Sequence, residues 1–175
     1  MASMAGFIPG LAEMLGVKAS TLDERQKALV RAGLLTTKPG RGPGSGVKAT
    51  PESVAMLLIS MLAPGGLAQT HLEAKAIAKL ESEGEACRLT GKKTFKASLS
   101  AILADEGLAR YVGAIRADRA GTRFGAKISW PSRYESDHPD SYFGFAVWHR
   151  AEPMRIATHL YLPFDKIARS LRESK

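Results

Sequence analysis

Apolar positions recur at helical spacing through the first hundred residues and at alternate positions through much of the remainder. Leu11, Met14 and Leu15 predict one face of a short helix, ended by Gly16. A turn at Val17–Ala19 precedes Ser20, which reads as an N-cap with Asp23 as the acidic half of a capping box. The helix that follows runs to about Ala32, with Leu22, Leu29 and Ala32 inside and Gly33 as a left-handed stop. Residues 38–48 are dominated by glycine and proline, which break both helix and central strand, so they predict a hairpin with a long tip. Thr50 and Pro51 then start a helix in which Val54–Ile59, Met61 and Leu62 are apolar nearly all round. Such a helix is buried on several sides or lies in a subunit interface. Pro64-Gly65-Gly66 ends it and marks the expected division into residues 1–66 and 67–175.

Past that point Thr70 and Glu73 predict a second capping box and a helix to about Glu83, with Leu72, Ala76, Ile77 and Leu80 inside. Thr94 caps a further helix carrying Phe95, Leu99, Ile102 and Leu103, with Gly107 as its stop. Period-two alternation then appears in Arg110–Ala117, Thr122–Trp130, Tyr142–His149 and Arg155–Leu162. Pro163 opens a last helix with Phe164, Ile167, Ala168 and Leu171 inward. The expected class is α+β: helices, an antiparallel four-stranded meander and a closing helix.

Composition narrows the function classes. The chain of 175 residues is 45% hydrophobic and 24% charged, which is globular. Its longest apolar run, Val54–Ile59, is far short of the ~20 residues that span a bilayer. The start, MASMAGFIPG, lacks a charged-then-apolar leader pattern, and a single cysteine, Cys87, precludes an internal disulfide; a cytoplasmic protein is expected. A net charge of +8 points to a polyanionic partner. That excess is spread along the chain, with seven basic against four acidic residues in 1–66 and 18 against 13 in 67–175. Asparagine is absent, so bidentate reading of adenine falls to Gln26 or Gln69.

A short amphipathic helix, a tight turn, a second helix ending Ala-Gly-Leu-Leu, and a basic glycine-rich tongue follow one another from Leu11 to Thr50. This stretch resembles the winged helix-turn-helix superfamily, and the resemblance covers less than a quarter of the chain. It implies a recognition helix, Ser20–Ala32, in the DNA major groove, and a wing, Lys38–Lys48, on the adjacent backbone or minor groove. The expected DNA-binding residues are Lys18, Ser20, Thr21, Glu24, Arg25, Gln26, Lys27 and Arg31 on the helix, with Lys38, Arg41 and Lys48 on the wing. Ala28 is also expected to face solvent. Arg41, set among glycines and prolines, suits a narrow A·T-rich minor groove. Against the reading, Asp23 and Glu24 place negative charge near phosphate, although Glu24 can accept from a cytosine amino group. The same fold used for protein contacts is the competing explanation.

Other chemistry is weaker. On alternation, Phe124, Ala126, Ile128 and Trp130 oppose Arg123 and Lys127, while Arg110 and Arg116 share a face. A basic sheet face beside Tyr142 or Trp148 can stack single-stranded nucleic acid, but a half-buried sheet with a solvated face is the favoured explanation. His71, His138, His149 and His159 lack metal-ligand spacing, and Ala86–Thr94 only approaches a phosphate-binding loop. No cofactor and no metal are expected. The sequence therefore predicts a double-stranded DNA-binding transcriptional regulator, not an enzyme, and a homodimer formed through the apolar helix after Pro51. The alternatives are a winged-helix interaction or inhibitor protein of a mobile element, and an enzyme with its site between the two halves.

Overall fold

The computed structural model describes residues 2–38, 40, 46–63, 65–129, 140–144 and 155–174. Its first helix, α1 (Met4–Leu15), begins seven residues ahead of the expected start at Leu11. Met4, Phe7, Ile8 and Leu11 recur at helical spacing and all are buried, which supplies the missing apolar face. Ser3 caps the helix by accepting from the Gly6 amide at 3.2 Å. Pro9 lies inside it at an exposed position, where water can solvate the carbonyl that the proline ring leaves unpaired.

The second helix, α2, spans Ala19–Arg31, with Lys18 at the cap position and no side-chain cap. Ser20 is therefore inside the first turn and is not the N-cap; Ala19, a strong helix former, extends the helix by a residue. Asp23 does not close a capping box either, but pairs with Lys27 at 2.6 Å. The expected left-handed stop is present at Gly33, whose φ is 68°. There the Gly33 amide bonds the Val30 carbonyl and the Leu34 amide the Leu29 carbonyl, both at 2.9 Å.

A short hairpin follows, β1 (Thr37–Lys38) and β2 (Gly46–Val47), with Lys38 opposite Gly46. Ser3 forms a bridge to Lys48, laying a third segment against the hairpin base. Buried Leu35 and Val47 tie the base into the core.

Helix α3 (Pro51–Leu62) opens as expected. Thr50 accepts from the Ser53 amide at 3.2 Å and the Ser53 hydroxyl accepts from the Thr50 amide at 2.8 Å. Every residue from Ser53 to Ser60 is buried. The helix packs against α2, α4 (Thr70–Ala78) and α5 (Phe95–Ala104), so its apolar surface is covered within one chain. The exposed patch from which a homodimer was expected does not exist on α3.

Helix α4 departs from its sequence pattern in two ways. Thr70 and Glu73 form no capping box: Gln69 precedes the helix, the Thr70 hydroxyl bonds the Gly66 carbonyl at 3.2 Å, and Glu73 is buried. The Glu73 carboxylate instead accepts from the Gly65 amide at 2.6 Å and pairs with Arg119 at 2.5 Å. This turns Ala74 inward and leaves Leu72 61% exposed. The helix also stops at Ala78, not near Glu83, because residues 80–83 are held extended by neighbours on both sides. Phe95 donates to the Leu80 carbonyl at 2.9 Å, Ser82 to the Lys93 carbonyl at 2.8 Å, and Glu83 to the Tyr142 carbonyl at 3.1 Å. Tertiary backbone pairing there overrides helix propensity.

Thr94 caps α5 as expected, accepting from the Ala97 amide at 3.3 Å. The helix ends at Ala104, before the predicted stop at Gly107, because Asp105 caps a separate short helix, α6 (Glu106–Ala109). That places Arg110 at the end of α6, off the sheet, so it shares no strand face with Arg116.

The sheet comprises β3 (Ala114–Ala120), β4 (Arg123–Ser129), β5 (Ser141–Gly144) and β6 (Arg155–Tyr161), all antiparallel. Its order is β5-β4-β3-β6, a Greek-key arrangement and not the expected meander. The last strand returns beside β3, giving that buried strand a partner on each edge. Helix α7 (Phe164–Glu173) buries Phe164, Ile167, Ala168 and Leu171, the predicted inner face. Buried residues on both sides of residue 66 belong to a single apolar cluster. Among the described residues no helix is long and apolar enough to cross a membrane.

Several expectations lie outside the described residues: Arg41 and the hairpin tip, Trp130, the loop 131–139 with His138, the continuation of the third strand to His149 with Trp148, and the turn at Glu152-Pro153.

Candidate nucleic-acid interface

Helix α2 buries Leu22, Ala28 and Leu29. Ala28 thus faces the core, not solvent. The opposite side exposes Ser20, Glu24, Lys27 and Arg31, spaced by four, three and four residues, which sets them in one stripe along the helix. Lys18 is exposed at the head of this stripe, and Thr21 is half-buried beside it. No acidic residue occupies the first turn of α2 and no side chain caps it. The leading amides of Ala19 and Ser20, next to Lys18, therefore carry partial positive charge that favours an anion.

The stripe adjoins the hairpin. Gln26, Lys27, Val30 and Arg31 of α2 face Thr37 and Val47 across an open crevice of about 470 Å³. Two basic side chains and a hairpin edge thus border one groove. The Lys27–Asp23 pair is exposed at both ends. Exposed pairs of this kind contribute little, so Lys27 can exchange its carboxylate for a phosphate at small cost.

Two residues assigned to base reading are half-buried, each with a polar group turned inward. The Arg25 guanidinium donates to the Ser60 carbonyl, and its Nη1 lies 3.4 Å from Thr70 Oγ1. Burial draws its pKa below the ordinary arginine value. The reason for this inward turn lies on α3. The Ser60 carbonyl lies in the last turn of α3, where carbonyls have no amide of the helix to accept from. Arg25 supplies the donor, and through Thr70 it links α2 to the end of α3 and the start of α4. Gln26 is half-buried, and its Oε1 is buried without a hydrogen-bond partner among the described residues. Arg25→Met is accordingly expected to lower stability by about 1–3 kcal/mol, the cost of leaving a buried acceptor unsatisfied. A urea unfolding curve checks this, and the variant's DNA preference should be that of the wild type.

Lys38 and Lys48 occupy a separate recess of about 300 Å³ at the hairpin base, together with Leu34, Thr36, Glu52 and Lys96. Lys96, on the first turn of α5, has no counterpart in the sequence reading. It lies 48 residues beyond Lys48 in the chain, and only the docking of α5 on α3 brings it near. The hairpin lysines thus join α5 and do not line the α2 crevice.

The sheet presents less free charge than its sequence implies. Arg116 pairs with Asp118 at 2.5 Å, while Lys127 pairs with Asp140 and sits 5.4 Å from the Tyr142 ring centre. Cys87 is buried, 3.4 Å from Ser141 Oγ. Among the described residues no three of His, Cys, Asp and Glu are grouped as metal ligands. No protein-family model, curated protein or solved structure matches the chain.

Proposed function

We propose that the chain binds double-stranded DNA through α2 and the β1–β2 hairpin, in the service of transcriptional control. The carrying observation is the exposed stripe Ser20, Glu24, Lys27 and Arg31, which shares one crevice with the hairpin. In this reading α2 enters the major groove from its first turn. Lys18 and the uncapped amides meet phosphate, Ser20 and Glu24 meet base edges, and Lys27 and Arg31 clamp the backbone. Thr21 supports the helix entry from its half-buried position. The hairpin continues onto the flanking backbone, where Lys38 and Lys48 supply charge beyond the α2 crevice. The bridge between Ser3 and Lys48 fixes the hairpin base against the start of α1.

Arg25 and Gln26 have no part in base reading here, because one is committed to the Ser60 carbonyl and the other turns its oxygen inward. Selection from a randomised duplex pool tests the assignment. Glu24→Ala is expected to change the selected sequence, most visibly at a cytosine position, since a good base contact discriminates by about 1–3 kcal/mol. Arg25→Met is expected to leave it unchanged. The reverse pattern would mean that a different surface reads the DNA.

A further inference from the structure

On the α5 side of the hairpin, the fold holds a larger open groove of about 910 Å³. Its floor is made by Met56 of α3, Ala78 of α4, and Ala97, Ala101 and Ala104 of α5. The three α5 alanines are spaced by four and three residues and share one face of that helix. Lysines line the same groove from three segments: Lys75 of α4 with Lys79 just after it, Lys92 of the following connection, and Lys96 of α5. Against them stand only Glu52 and Glu81, and among the described residues none of the four lysines is in an ion pair.

A groove of this kind asks for a ligand with an apolar ridge and negative flanks. Nucleic acid meets only half of that requirement. Its phosphates suit the lysines, but no aromatic side chain lines the groove for a base to stack on, and the apolar floor would stay wet. Small floor residues let a helix approach closely, and lysines beside an apolar floor select carboxylates next to an apolar face. We propose that this groove receives an amphipathic helix of a partner protein, apolar along one face and rich in Asp and Glu beside it. The recess containing Lys38, Lys48 and Lys96 adjoins the groove through Leu34 and Glu52. A bound helix would therefore sit next to the hairpin and leave the exposed stripe of α2 free. The inference does not depend on DNA binding by α2; where both hold, the protein bridges DNA and a second protein.

The test uses the full chain and a fluorescent peptide of about four helical turns, with leucine on one face and glutamate on the others. Fluorescence anisotropy is expected to show binding about tenfold tighter than for a scrambled peptide of the same composition. The double variant K75E/K79E, at two exposed positions, is expected to weaken binding by at least about tenfold while keeping the wild-type melting curve. Ala101→Trp, which fills the floor, is expected to abolish it. Equal binding of the scrambled peptide, or an unaffected K75E/K79E variant, would reduce the effect to charge adsorption and overturn the proposal. So would the absence of peptide binding, displacement of the peptide by laurate at equal concentration, or loss of duplex DNA binding in K75E/K79E while peptide binding persists.

Discussion

Leu57→Ala is expected to lower the unfolding free energy by about 2–5 kcal/mol, the range for deleting most of a buried leucine. Leu57 is 0% exposed and lies at the centre of α3. Helices α2, α4 and α5 all pack on α3, and its residues 53–60 have no solvent face toward which neighbours could relax. The cavity should therefore persist, which places the cost toward the upper part of that range. Domains of this size have stabilities of about 5–15 kcal/mol, so the variant should lose a large share of its total. Urea unfolding of the full chain measures it. Glu52→Ala, in the exposed first turn of the same helix, should change stability by no more than about 0.5 kcal/mol. A single transition is expected for the wild type, since the residues buried on either side of residue 66 form one cluster.

The second large effect concerns DNA. Replacing Lys27 and Arg31 together by alanine is expected to weaken duplex binding about tenfold or more at moderate salt. In the proposed mode each supplies one phosphate contact, and charge-assisted hydrogen bonds of this kind contribute about 1.5–3 kcal/mol before solvent screening. Both side chains are exposed, and among the described residues Lys27 pairs only with Asp23. The double variant should consequently fold as well as the wild type, which a melting curve will show. Substituting Lys92 and Lys93, two exposed lysines remote in sequence from α2, serves as the charge-matched control and should have a much smaller effect.

Local chemistry explains which features were readable from the chain. Threonines 50 and 94 cap the helices that follow them, Gly33 takes the left-handed conformation, and α7 buries the predicted stripe. Each of these depends on residues within a few positions of one another. The misread features depend on distant partners. Residues 80–83 carry a helical pattern, yet their backbone groups bond to Lys93, Phe95 and Tyr142. Strand β6 lies beside β3 and not β5, an order that period-two alternation cannot encode.

The candidate interface divides along the same line. The exposure of Ser20, Glu24, Lys27 and Arg31 follows from helical periodicity around Leu22 and Leu29. The fate of Arg25 was set 35 residues away, at a carbonyl in the last turn of α3. Lys96 and the groove lysines come from separate segments and converge only when α3, α4 and α5 pack. Proximity of that kind leaves no local trace in a single sequence.

The salt dependence of duplex DNA binding tests the central claim most directly. Binding of genomic duplex fragments should be measurable at low salt, with the logarithm of affinity falling linearly against the logarithm of salt concentration. In the Lys27→Ala/Arg31→Ala variant the slope should be shallower by about two, one for each lost phosphate contact, while Arg25→Met should retain the wild-type slope. Undetectable binding at low salt, or the same slope for the wild type and the Lys27→Ala/Arg31→Ala variant, would contradict DNA recognition through α2 and the hairpin.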